Sequence, residues 1–166
     1  FQQLVKLQLE IGLDSKSGLY GSLRAAVHDI EELAKEAGEY EILFHMLMLR
    51  RNEKDFMLRR DEKYLAKFEN NYGKFNNALD QLQPNSIDAM KNKVARYRSD
   101  FNNLTAKEIA FGLTASSGLL GELRNTIHQT EESFISLTDF VNTEIEQTTA
   151  NVYTTLTAII VLPSLV

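Results

Sequence analysis

Six of the eight glycines in this chain fall in two stretches that are nearly the same. GLDSKSGLYGSLRAAVHDIEE, Gly12 to Glu32, returns as GLTASSGLLGELRNTIHQTEE, Gly112 to Glu132, with eleven of twenty-one positions identical. The only prolines are Pro84 and Pro163. Residues that break helices are therefore concentrated at few places, and the stretches between them are left to long helices. A short period would mean a solenoid. Two copies so far apart mean instead one structural device used at two places.

The apolar spacing agrees. Leu4, Leu7 and Ile11 recur at helical intervals before the first Gly/Ser break at Gly12–Gly18. Leu19, Leu23, Ala26/Val27, Ile30 and Leu33/Ala34 make the next stripe, and Gly38 is placed to end that helix. From Glu39 to Leu82 the spacing predicts one long helix, interrupted only by Gly73, with a core register through Leu43, Met46/Leu47, Arg50, Lys54, Met57/Leu58, Asp61, Leu65 and Phe68. A turn follows at Gln83–Ser86, with Ser86 or Asn85 as the N-cap of a helix over Ile87–Phe111. After the second break, Gly112–Gly118, a last helix begins at Leu119. The expectation is an all-α fold of long antiparallel helices. They form two stacked four-helix modules that share the long helices, with the repeated device at the junction.

Composition excludes several classes. A net charge of −5 argues against nucleic acid as a partner. With no cysteine there is no disulfide framework, thiolate metal site or cysteine nucleophile. None of the histidines has a Glu three residues before it, as a helical di-iron site needs, and no phosphate loop follows a strand. No metal, cofactor or catalytic constellation is expected, so the chain does not read as an enzyme. After Glu146 no charged residue appears, and the closing NVYTTLTAIIVLPSLV reads as the first part of a membrane-spanning helix. The expected division is a helical domain over residues 1–150 and the start of a membrane segment over 151–166.

Charged residues inside the long helix pose the chemical question. A buried, unpaired cation is costly. Arg50 and Lys54 must therefore meet acids (Glu53 and Asp55 are adjacent), water or an anionic ligand. Folding the chain back about Gly38 brings Arg24 near Glu53, and His28 near Leu49 and Arg50. Arg24 is then either the partner of Glu53 or a second clamp beside Arg50. Arg124 and His128 repeat that i, i+4 pair and suit either an anion or Glu131 and Glu132. The run Arg59, Arg60, Asp61, Glu62, Lys63 reads as a solvated face with i, i+4 pairs.

The repeated GLxxxSGLxGxLRxxxH, with LMLRRNEKDFMLRRDEKYLAKF from Leu47 to Phe68, resembles the helical bimodular sensor domain of bacterial methyl-accepting chemotaxis proteins. The resemblance covers most of the chain, from about Leu4 to about Glu146. It implies a six-helix periplasmic domain of a homodimeric receptor in the bacterial inner membrane, here lacking its first long helix. It further implies a small carboxylate as ligand, held near Arg50, Arg24, Lys54, Arg124 or His128. The alternative of another class is the sensor module of a membrane histidine kinase that docks a periplasmic binding protein.

Overall fold

The computed structural model describes residues 1–82 and 87–161. Six helices follow in order: α1 (Gln2–Ile11), α2 (Gly18–Ala37), α3 (Tyr40–Arg59), α4 (Lys63–Leu79), α5 (Ile87–Phe111) and α6 (Gly118–Val161). No strand occurs among the described residues, and the fold is an all-α bundle. The chain divides into two units, Phe1–Glu122 and Leu123–Val166.

In the first unit α2, α3, α4 and α5 form a ring. α3 pairs with α4 and α2 with α5, while α2–α3 and α4–α5 contacts close it. Ser22 bonds Asp100 at 2.9 Å and Asp29 meets Lys93 at 3.6 Å, so α2 and α5 run antiparallel. α1 packs on α2 and α5, and Lys107 donates to Glu10 at 2.8 Å. The core follows the apolar stripes: Leu23, Val27 and Ile30 from α2, Phe68, Phe75 and Leu79 from α4, Met90, Val94, Tyr97 and Phe101 from α5. Phe68 is its aromatic centre, 4.2 Å from Phe101 and 5.3 Å from Tyr97 between ring centroids. The Tyr97 contact is edge-on and the Phe101 contact tilted, and aromatic pairs of both kinds add to the area that the rings bury.

The long helix expected over Glu39–Leu82 is two helices. It ends at Arg60, which takes the left-handed conformation (φ 50°), and its N–H donates to the Phe56 carbonyl at 2.7 Å. Asp61 Oδ1 then accepts the Lys63 N–H at 2.9 Å and helps α4 begin. The helix expected to run on from Glu39 to Leu82 is thus two shorter ones, α3 and α4. The charge run Arg59–Lys63 is a chain reversal rather than a helical face. The register of α3 is also shifted from the expected one. Ile42, Met46, Leu49, Glu53 and Phe56 face the core, while Leu58 is 80% exposed and Arg50 and Lys54 flank the buried face. The expected turn at Gln83–Ser86 lies outside the described residues.

The two Gly/Ser breaks share one geometry. Gly18 and Gly118 both have φ 56°, and a Cβ at either would strike the end of the preceding helix, 2.5 Å from the carbonyl of Glu10 or Ala110. Gly21 and Gly121 are ordinary helical residues, but a Cβ there would strike the carbonyl of Lys16 or Ser116. Ser17 stands at the N-cap position of α2, yet its hydroxyl serves the loop. Its Oγ accepts the N–H groups of Leu13 and Asp14 at 3.0 and 3.1 Å. Ser117 does the same for Thr114 at 2.9 Å.

Among the described residues the second unit is the remainder of α6, with Ile127, Phe134, Leu137, Val141 and Ile145 exposed. Among the described residues no helix is long and apolar enough to cross a membrane. Residues 162–166 of the expected membrane segment lie outside them.

Candidate functional site

A cavity of about 840 Å³ opens between α2, α3 and the first Gly/Ser loop. Four of the sequence-derived site residues line it or its rim: Arg24 and His28 from α2, Arg50 and Lys54 from α3. Tyr20, Glu31, Glu53 and Met57 complete the inner wall, and Asp14 and Lys16 come from the loop. The helical spacing of Arg24, His28 and Glu31 puts all three on the side of α2 that faces α3. Gly21, one turn before Arg24, leaves room for the loop to close over that end.

The floor is a buried carboxylate. Glu53 is only 1% exposed. Arg50 Nη1 donates to both of its oxygens at 2.8 Å, Lys54 Nζ lies 2.9 Å from Oε1, and the Tyr97 hydroxyl donates to Oε2 at 2.6 Å. The charge at the core boundary is thus an acid held by three donors, with the cations placed around it. Asp55, the other candidate neutraliser, faces away from this cavity and pairs with Arg59 at 3.2 Å. Burial opposes the charge on Arg50, but the charge and hydrogen bonds of Glu53, with Glu31 behind them, outweigh it and raise its pKa above the ordinary guanidinium value. Burial, then the charge and hydrogen bond of Glu53, push the Tyr97 phenol well above the usual tyrosine range.

The remaining valences matter for ligands. Glu53 engages only one terminal nitrogen of Arg50. The Nε–Nη2 edge makes no hydrogen bond among the described residues; Glu31 Oε1 stands off at 3.6 Å from Nε. That edge is the one a carboxylate can bridge with two parallel bonds. Arg24 is exposed and makes no ion pair among the described residues, so it is not the partner of Glu53. His28 lies 3.5 Å from Glu32.

Arg124 and His128 belong to the second unit. His128 Nδ1 is 3.2 Å from Glu131, the acid its own helix supplies one turn on.

Three residues with structural work escaped the sequence reading. Arg60 donates from Nε to the Leu113 carbonyl at 3.1 Å, and from Nη2 to the Gly112 carbonyl at 3.0 Å and to Glu108 at 2.7 Å. It therefore satisfies carbonyls left open at the end of α5. Glu108, 5% exposed, also accepts from the Tyr20 hydroxyl. Burial and that hydrogen bond raise the Tyr20 pKa strongly. Glu108 lies three residues before Phe111 on the buried side of α5, which is the one signal that an acid there needs a cation. Compared with known proteins, the chain matches no family model, no curated protein and no solved structure.

Proposed function

We propose that this chain is the ligand-binding sensor region of a transmembrane chemoreceptor, and that the cavity between α2 and α3 takes a small organic anion such as a dicarboxylate. The observation that supports this reading is the Nε–Nη2 edge of Arg50, which has no hydrogen bond among the described residues and only the Glu31 ion pair at 3.6 Å, set in one cavity with the unpaired Arg24 of the facing wall. A dicarboxylate bridges the two guanidinium groups, and Lys54 and Lys16 add positive charge at the rim. Glu53 and Tyr97 hold Arg50 from below, so its orientation is set before the ligand arrives. Engaging both walls draws α2 and α3 together. The ligand shifts the helices only to the extent that it binds the drawn-in arrangement more tightly. The receptor acts as a homodimer in the bacterial inner membrane, with this region in the periplasm.

Calorimetry with acetate and a panel of dicarboxylates tests the reading. At least one titration should give saturable heat. Arg24→Ala, which breaks no ion pair, should weaken it about tenfold or more, as loss of a charge-assisted bond implies. Absence of heat from every acid, with the helical circular dichroism and melting intact, removes the carboxylate reading.

A further inference from the structure

A second groove, of about 310 Å³, lies between α3 and α4 and shares no residue with the cavity above. Arg51, Asn52 and Asp55 line it from α3, and Lys67, Asn70 and Lys74 from α4. Asn52 is the unusual member. It is 4% exposed, and its Nδ2 is buried without any hydrogen-bond partner. Buried donors are nearly always paired, so an orphan at the base of a polar groove points to an acceptor from outside the chain. The groove also holds cations with charge to spare. Lys74 makes no ion pair among the described residues, and the Lys67 ammonium rests over the Tyr64 ring at 5.1 Å. Arg51 has only a loose approach to Asp55, at 3.9 Å.

Asp55 narrows the class of anion. Its Oδ1 is held by Arg59 at 3.2 Å, whereas Oδ2 makes no hydrogen bond among the described residues. An acceptor that carries only lone pairs is repelled by that oxygen. An anion that carries a proton can donate it there while its other oxygens accept from Asn52, Arg51 and the lysines. We propose that this groove is a binding site for hydrogen phosphate: the P–OH donates to Asp55 Oδ2, and the remaining oxygens take the Asn52 amide and the cations. Sulfate has the same shape and no proton at neutral pH. A site that hydrogen-bonds a ligand O–H discriminates strongly against the analogue lacking it. Carboxylates at neutral pH also lack the proton, which separates this site from the carboxylate cavity between α2 and α3.

The test is calorimetry of the chain with inorganic phosphate and with sulfate, near pH 7 and at matched ionic strength. Phosphate should bind saturably, and sulfate at least about 100-fold more weakly. Lys74→Ala should weaken phosphate about tenfold, the loss of one charge-assisted bond. Asp55→Asn should bring sulfate within a few-fold of phosphate, a loss of preference that a merely structural Asp55 would not produce. No saturable phosphate binding by the folded chain, or equal binding of the two anions by the unaltered chain, overturns the proposal. A negative result with phosphate leaves the dicarboxylate titration unaffected, and the converse holds, so the two sites stand or fall separately.

Discussion

Replacing Tyr97 by Phe isolates one bond at the centre of the bundle. The side chain is fully buried, and its ring packs edge-on against Phe68. Phe retains that ring and its contacts, so nearly all that is lost is the hydroxyl donating to Glu53 Oε2 at 2.6 Å. A hydrogen bond to a charged group is worth about 1.5–3 kcal/mol. Arg50 and Lys54 still hold the carboxylate, so the expected loss is about 2 kcal/mol. With a urea m-value of about 2 kcal/mol/M, the midpoint should fall by about 1 M with m unchanged. The pH dependence supplies a second reading. The Tyr97 pKa is raised in the folded chain, so the phenol releases its proton more readily when unfolded. The advantage of the native chain over Tyr97→Phe should be full below the ordinary tyrosine pKa of about 10. It should then shrink as pH rises from there towards the folded value. Urea denaturation of both proteins between pH 7 and pH 11 measures it. A loss under about 0.5 kcal/mol at pH 7, or a difference that widens in alkali, refutes the picture of a charged Glu53 held by three donors.

Two glycines should respond in opposite directions to the same change. Gly73→Ala sits in an exposed turn of α4 with nothing near its Cβ position and should stabilise by about 1 kcal/mol, whereas Gly21→Ala must displace the Lys16 carbonyl and should destabilise; thermal melting separates them. Arg60→Ala strips three bonds from the end of α5 and leaves Glu108 buried with only the Tyr20 hydroxyl, so a loss of about 3 kcal/mol is expected in urea denaturation.

How much of this was legible in the sequence depends on the kind of interaction involved. The stripes of α2, α4 and α5 read correctly because each buries one continuous face, and Leu23, Phe75 and Val94 show it. The glycine joints were legible because only glycine tolerates both the left-handed backbone at Gly18 and the close approach at Gly21. The reversal at Arg60 was hidden for a reason of phase. Phe56, Arg60, Tyr64 and Phe68 keep a four-residue spacing straight through it, and neither glycine nor proline marks it. Its left-handed residue is compensated by contacts with carbonyls more than fifty positions away, which local pattern cannot reveal. The cavity was partly legible. Folding the chain about Gly38 set Arg24 opposite Glu53 and His28 opposite Leu49 and Arg50, and Arg24, His28, Arg50 and Glu53 do line one cavity. What spacing could not decide was which charge is buried. Glu53 differs from its neighbours by about 100° of helical rotation, and that single step carries it to the Tyr97 hydroxyl of α5.

The reversal at Arg60 also bears on the order in which the chain assembles. Ser22 and Asp100, which join α2 to α5, are 78 positions apart. The α3–α4 hairpin closes through a turn of a few residues, and the entropy lost in closing a loop grows with its length. Once that hairpin is formed, the path between α2 and α5 is already short-circuited, and Phe56 and Phe68 present a surface on which Phe101 can dock. We expect the hairpin to be the nucleus on which the outer pair condenses. Arg60 is the hinge of that nucleus, yet its guanidinium bonds to α5, which arrives later. Arg60→Ala should accordingly accelerate unfolding more than it slows folding, as stopped-flow chevrons would report. If it slows folding instead, α5 is already in place at the barrier.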